Sequence, residues 1–278
     1  MYTINENVTR AGRWFYGICM AALGIQQLFY ADFRTVFLPQ WPSGVPGLAV
    51  CAYLAGAALI GVGASIIFEK KARMVALILG IILLGLFGFG HVPYLIFVNP
   101  FVSQLGAWTI PLKALALSGG AFVVAGSFPE ARANAGSESS LVRLLGRLIP
   151  VGGILFSVTM IIFGIDHFLY PEFVARIVPG WIPGHFFWTY FAGVALIGAG
   201  VGIITRIKLK VVAILLGTMI LLWFVFLHIP RSVADPFGGK GNEITSAFEA
   251  LGFSGIAFVL AYGVRRREKP GSIDPGRQ

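Results

Sequence analysis

The sequence predicts an all-α integral membrane protein of eight transmembrane helices, built as two parallel four-helix-bundle repeats. Three observations lead there. Hydrophobic residues make up 57% of the chain and charged residues only 12%, against about 25% charged in a soluble domain, and so sparse a polar surface does not keep a protein in water. The apolar residues gather into eight runs, each about long enough to cross a hydrocarbon core as a helix. Residues of the first four runs recur in the last four at nearly constant spacing.

The runs cover residues 14–30, 47–68, 74–92, 108–128, 148–170, 185–205, 211–229 and 246–264. The stretch ahead of the first is polar and no small-residue cleavage site follows it, so the first span is expected to be retained rather than removed as a signal. The net charge of +9 does not point to nucleic acid, because its distribution has another meaning. Sixteen basic residues, among them Arg13, Lys70, Lys71 and Arg206, fall on the side of the N terminus, and only Arg34, Arg176, Arg231 and Lys240 on the other, with Lys113 inside the fourth run. Basic residues concentrate on the cytoplasmic side of membrane proteins. Both termini are therefore expected in the cytoplasm, with the chain multi-pass in a bacterial-type inner membrane and the lipid bilayer as its partner.

Matching residues define the repeat. Gly24 and Gly164, Tyr30 and Tyr170, Pro39 and Pro179, and Trp41 and Trp181 are each 140 apart. After a slip the offset is 137, which pairs Gly56 with Gly193, Gly63 with Gly200, and His91-Val-Pro93 with His228-Ile-Pro230. At 136, Ser118 pairs with Ser254. An even number of spans per half makes the repeats parallel. The expected division is a first repeat at 1–128, a polar cytoplasmic linker at 129–147, a second repeat at 148–264 and a basic cytoplasmic tail at 265–278. Cys19 and Cys51, each near the start of its run but on opposite sides of the membrane, lie roughly 16 Å apart in depth, too far for a disulfide.

Ionisable residues near the outer ends of the second-half runs are the candidates for chemistry. A charged group in lipid is costly and normally faces the bundle interior or water. Asp166, His167, His228, Arg231 and Glu249 are expected to make a polar pocket open to the outer face. Their counterparts in the first half are Gln26, Gln27, His91 and Lys113, with Lys113 matching Glu249. An aspartate beside a histidine can move protons, and Phe163, Tyr170, Trp181 and Trp188 offer aromatic surface to a quinone. The competing reading is that these groups cap helices and hold loops, since adjacent residues on a helix point about 100° apart. His91 and His228 allow haem or metal ligation only if they meet; no cluster with diagnostic metal spacing exists. The loops around Trp41 and Trp181 read as interfacial anchors or as a lid. Gly198, Gly200 and Gly202 read as a helix-packing stripe rather than a nucleotide loop.

FGIDHFLYPEF, VPGWIP, WTYFAGVALIGAG and LHIP together resemble the DoxX-like membrane proteins, whose relatives include DoxD-type thiosulfate:quinone oxidoreductase subunits and MauE-type maturation proteins. The resemblance covers residues 148–264 well and 12–128 less well. Its motif at Gly164, His167, Pro171 and Phe173 stands in the second half; Gln27 and Ala31 replace the histidine and proline in the first. The resemblance implies two fused four-helix units. It also implies an accessory or subunit role in quinone-linked membrane redox chemistry, with quinone as the cofactor and a membrane redox complex as the partner. A small-solute carrier or channel and a non-catalytic assembly scaffold are the alternatives, and enzymatic activity is left open.

Overall fold

A computed structural model describes residues 2–40, 45–128 and 139–263. These residues form helices and no strand: α1 (Tyr2–Tyr30), α2 (Leu48–Ile67), α3 (Ala72–Phe97), α4 (Leu105–Ser127), α5 (Ser140–Leu169), α6 (Pro171–Ile177), α7 (His185–Thr205), α8 (Leu209–Ala234) and α9 (Gly238–Gly263). Seven of them, all but α1 and α6, are long and apolar enough to cross a membrane by length and composition. The first expected span lies in α1, which falls outside the seven because Arg13, Gln26 and Gln27 dilute its apolar residues.

The sequence explains the local structure. Pro93 and Pro230 have no N–H, and their rings crowd the carbonyl four residues back. Both α3 and α8 widen into a π-helical turn just before that point, at Leu86–His91 and Phe224–His228. Gly47 and Gly184 precede α2 and α7 with φ of 79° and 75°, where a Cβ is disfavoured. The described end of the expected linker is helical: Ser139 accepts a hydrogen bond from the Val142 N–H and starts a helix that runs into the fifth expected span. The rest of the linker up to 138, the tail 265–278, and Trp41 and Pro42 lie outside the described residues.

α4 and α9 form the centre, with 78% and 72% of their spanning segments buried, against 22% for α8. They touch each other; α3 packs on α4 and α8 on α9. The first helix of each half lies against its own neighbour and the last helix of the other: α1 packs on α2 and α9, and α5 on α7 and α4, while α1 hardly meets α4. Helices from the first and the second part of the chain thus interlock. Glycine permits both crossings. A Cβ on Gly12 would stand 2.6 Å from the Gly255 carbonyl oxygen, and one on Gly119 2.5 Å from that of Gly152, closer than any side chain allows. Hydroxyls fasten the neighbours: Ser118 donates to the Gly80 carbonyl and Ser254 to that of Gly217, each at 2.8 Å, and Tyr16 donates to Leu117 at 2.7 Å. Cys19 is buried, Cys51 exposed, and both are free.

Candidate functional site

The end of the bundle away from the N terminus carries most of the candidate residues. Lys113 of α4 and Glu249 of α9 form an ion pair there, Nζ to Oε2 at 2.7 Å. Glu249 was expected in the first turn of its span. It lies deeper, because α9 begins at Gly238 and its left-handed kink ends at Gly241, about two turns earlier. Its carboxylate is only 3% exposed and the lysine 22%, so the pair is largely buried.

Other groups gather around it. Arg231 donates two hydrogen bonds to Glu243, at 2.8 and 2.6 Å. Lys113, Glu243 and Arg231 are within electrostatic reach of His228, whose Nδ1 is buried without a partner. On α1, Gln26 donates to the Gly241 carbonyl at 3.1 Å and accepts from the Thr245 hydroxyl at 3.0 Å. Gln27 donates to Ala52 at 3.3 Å and accepts from the Arg34 N–H at 3.4 Å. Residues 31–38 fold back over this end, burying Arg34, Val36 and Phe37. His91 bonds the Val36 carbonyl through Nε2 at 3.1 Å, which fixes it in the fold. Burial holds the Arg34 guanidinium below the usual arginine range, while Tyr30, Asp32 and Glu249 nearby favour its charge.

The five residues expected to share a pocket therefore separate. His228, Arg231 and Glu249 lie in this network, together with Lys113 of the first half, so the network joins both halves and is not confined to the second. Asp166 and His167 stand apart on α5. His167 Nδ1 bonds the Phe163 carbonyl of its own helix at 2.7 Å. Asp166 faces Thr109, yet neither carboxylate oxygen completes a hydrogen bond. Asp166 and Thr109 are the counterparts of Gln26 and Thr245, so the same contact is closed by an amide in one half and left open by a carboxylate in the other.

A cavity of about 740 Å³ lies elsewhere, between α7 and α8. Trp181, Trp188, Phe191, Trp223 and Phe226 surround one end; Ala195, Gly198, Ala199, Val212, Leu215 and Met219 line the rest. Trp188 and Trp223 meet edge to face at 5.8 Å, and Trp181 leans on Phe226 at 6.2 Å. From Trp188 to Ala199 the groove runs about 16 Å along α7. Phe191, Leu215, Leu222 and Phe226 are exposed along it, so it opens on the flank of the bundle. Gly198 is the glycine of the expected stripe that serves space rather than contact: a Cβ there would meet nothing within 4 Å, whereas one on Gly200 would press on Ile161 at 2.5 Å. Tyr170 and Phe163, expected as aromatic surface, are elsewhere: the Tyr170 hydroxyl accepts from Gly106 at 3.3 Å, and Phe163 packs on the core.

Residues 9–92 match the DoxX family model. That stretch of the chain is DoxX-like. Residues 156–231 match a second model, described as a domain of unknown function (DUF8561). No curated protein and no solved structure matches the chain. The DoxX match falls on α1 to α3, whereas the resemblance read from the sequence was stronger over 148–264. Neither match reaches α4 or α9, so the Lys113–Glu249 pair lies outside both.

Sequence reasoning missed Arg34, Glu243 and Thr245 as members of the network. Thr245 carried a usable signal, one helical turn before Glu249. Arg34 and Glu243 carried none, because a chain reversal brings them in.

Proposed function

We infer that this DoxX-like protein has an accessory or subunit role in quinone-linked redox chemistry, and that its quinone occupies the groove between α7 and α8. The single observation behind this reading is that groove: apolar, about 740 Å³, aromatic at one end, and open on the bundle's flank. Ligand sites are commonly apolar hollows of about 300–1,000 Å³. A planar headgroup stacks among Trp181, Trp188 and Trp223, and an isoprenoid tail extends past Gly198 toward Val212. In this reading α1 is an eighth span, the chain comprises two parallel four-helix repeats at 1–128 and 148–264, and both termini face the cytoplasm of a bacterial-type inner membrane. The aromatic end then lies at the outer leaflet, level with the interfacial zone where tryptophan collects.

The test is extraction of the protein purified from native membrane. Quinone is expected at near-equal amount with the protein, and added quinone is expected to quench its tryptophan fluorescence. Phospholipid without quinone, and fluorescence indifferent to added quinone, would leave the assembly scaffold as the better reading. That second reading has its own support: Asp32, Glu243 and Glu249 each already hold a cation, which suits a network built to hold helices together.

A further inference from the structure

One hydroxyl stands inside the apolar groove between α7 and α8. Thr218 lines it among tryptophan, phenylalanine and aliphatic side chains, and no lining residue is ionisable. A threonine within a helix commonly turns its hydroxyl back onto the carbonyl four residues earlier. Thr9, Thr159, Thr189, Thr205 and Thr245 all do so, at 2.8 to 3.2 Å. Thr218 does not. Its side chain is exposed on the groove, and its hydroxyl makes no hydrogen bond among the described residues, although Ile214 precedes it by one turn of the same helix.

A hydroxyl left unbonded in hydrocarbon is unfavourable. Back-bonding to Ile214 would relieve it, and so would an acceptor atom on whatever fills the groove. The groove's other donors are indole N–H groups at the aromatic end. Trp188 already gives its own to the Pro183 carbonyl at 3.2 Å, which leaves those of Trp181 and Trp223. Trp223 is five residues beyond Thr218, about 7.5 Å along α8, a distance comparable with a ring bearing carbonyls at opposite ends. In the proposed repeat Ile81 stands at the place of Thr218, Cys51 at that of Trp188 and Leu86 at that of Trp223. The hydroxyl and these two tryptophans are thus present together in one half and replaced together in the other, as parts of one site would be.

We propose that Thr218 donates a hydrogen bond to a ring carbonyl of the quinone in the groove, and so selects a quinone over a plain acyl chain. This rests on the reading of the groove as a quinone site. The ring lies between the level of Trp223 and that of Thr218, its outer carbonyl toward the indole N–H groups and its tail running on toward Val212. An acyl chain fills the same space but offers no acceptor at that depth. The hydroxyl then stays unbonded or turns back onto its own helix, and the chain gains nothing from it.

The experiment is a tryptophan-fluorescence titration of the purified full chain in neutral detergent. The probes are decylubiquinone and bromododecane, which quenches tryptophan but has no carbonyl. Thr218→Val keeps the shape of the side chain and removes the hydroxyl; Thr218→Ser keeps the hydroxyl. The Kd for decylubiquinone is expected to rise about fivefold in Thr218→Val and to stay within about twofold of wild type in Thr218→Ser. Bromododecane is expected to bind the wild type and both variants alike. Wild-type protein that does not bind decylubiquinone overturns the proposal together with the quinone reading. Wild-type binding that Thr218→Val leaves unchanged overturns the proposal alone. So does a Thr218→Ser variant as weak as Thr218→Val, and so does an equal weakening of bromododecane, which would show that the groove had changed shape.

Discussion

Lys113 and Glu249 are counterparts in the proposed repeat, 136 residues apart in the sequence, yet they carry opposite charges and meet at 2.7 Å. Two identical halves joined in the same way would bring like charges together at this position, where water is largely excluded. The difference in charge favours association of one half with the other over association of either with a copy of itself. Lys113→Glu is therefore expected to lower the Tm sharply, corresponding to about 3 kcal/mol for a broken, largely buried pair. The exchange Lys113→Glu with Glu249→Lys is expected to recover most of that loss. Thermal unfolding of the single and double variants measures it; an exchange no more stable than the single variant would show that the pair's surroundings, and not its mutual attraction, set its worth.

Gln26 ties α1 to α9 through Gly241 and Thr245. Gln26→Leu leaves the Gly241 carbonyl and the Thr245 hydroxyl without this partner. The expected loss is about 1–3 kcal/mol, read as a lower Tm. Thr245 keeps a second bond to Gly241, so Thr245→Val should cost less than Gln26→Leu. The reverse order would place the weight of the contact on α9's own turn.

Asp166 has the opposite sign. Its carboxylate oxygens have no hydrogen-bond partner, and the matching place in the first half holds an amide. Asp166→Asn is expected to raise stability by about 1 kcal/mol, because it replaces an unpaired carboxylate by a neutral group that can bond Thr109. A fall in Tm would mean that the carboxylate holds a proton or cation needed by the fold.

Gly198 separates groove from fold. Since a Cβ there meets nothing within 4 Å, Gly198→Phe is expected to leave the Tm nearly unchanged while filling the cavity and removing quinone from the extracted protein. Gly12→Val is the contrasting case. Its side chain would collide with the Gly255 carbonyl at 2.6 Å, and overpacking of this kind costs about 1–3 kcal/mol or more. Equal stability losses in the two variants would contradict the groove's openness.

Much of the architecture was legible because it depends on composition and local pattern. Low charge and long apolar runs give helices and their approximate ends without knowledge of any partner; the widened turns before Pro93 and Pro230, past which both helices continue, were not legible in them. The packing stripe of glycines was legible as well, though Gly198 turned out to border space, because a glycine's own sequence does not reveal whether a neighbour fills the gap. Seven helices meet the length and composition of a membrane span; α1 does not, as its glutamines are there to bond α2 and α9.

Side-chain partnership was the part that pattern could not supply. Alignment of the halves placed Lys113 opposite Glu249 as equivalents, but equivalence does not imply contact. Contact follows from α4 and α9 packing together at the centre and from the first helix of each half crossing to the other. That crossing also draws Arg34 and Gln26 toward α9 and leaves Asp166 facing Thr109. Helix identity depends on residues a turn or two apart, which the chain itself brings together; the ion pair and the aromatic groove depend on residues that only the folding of distant helices against one another can unite.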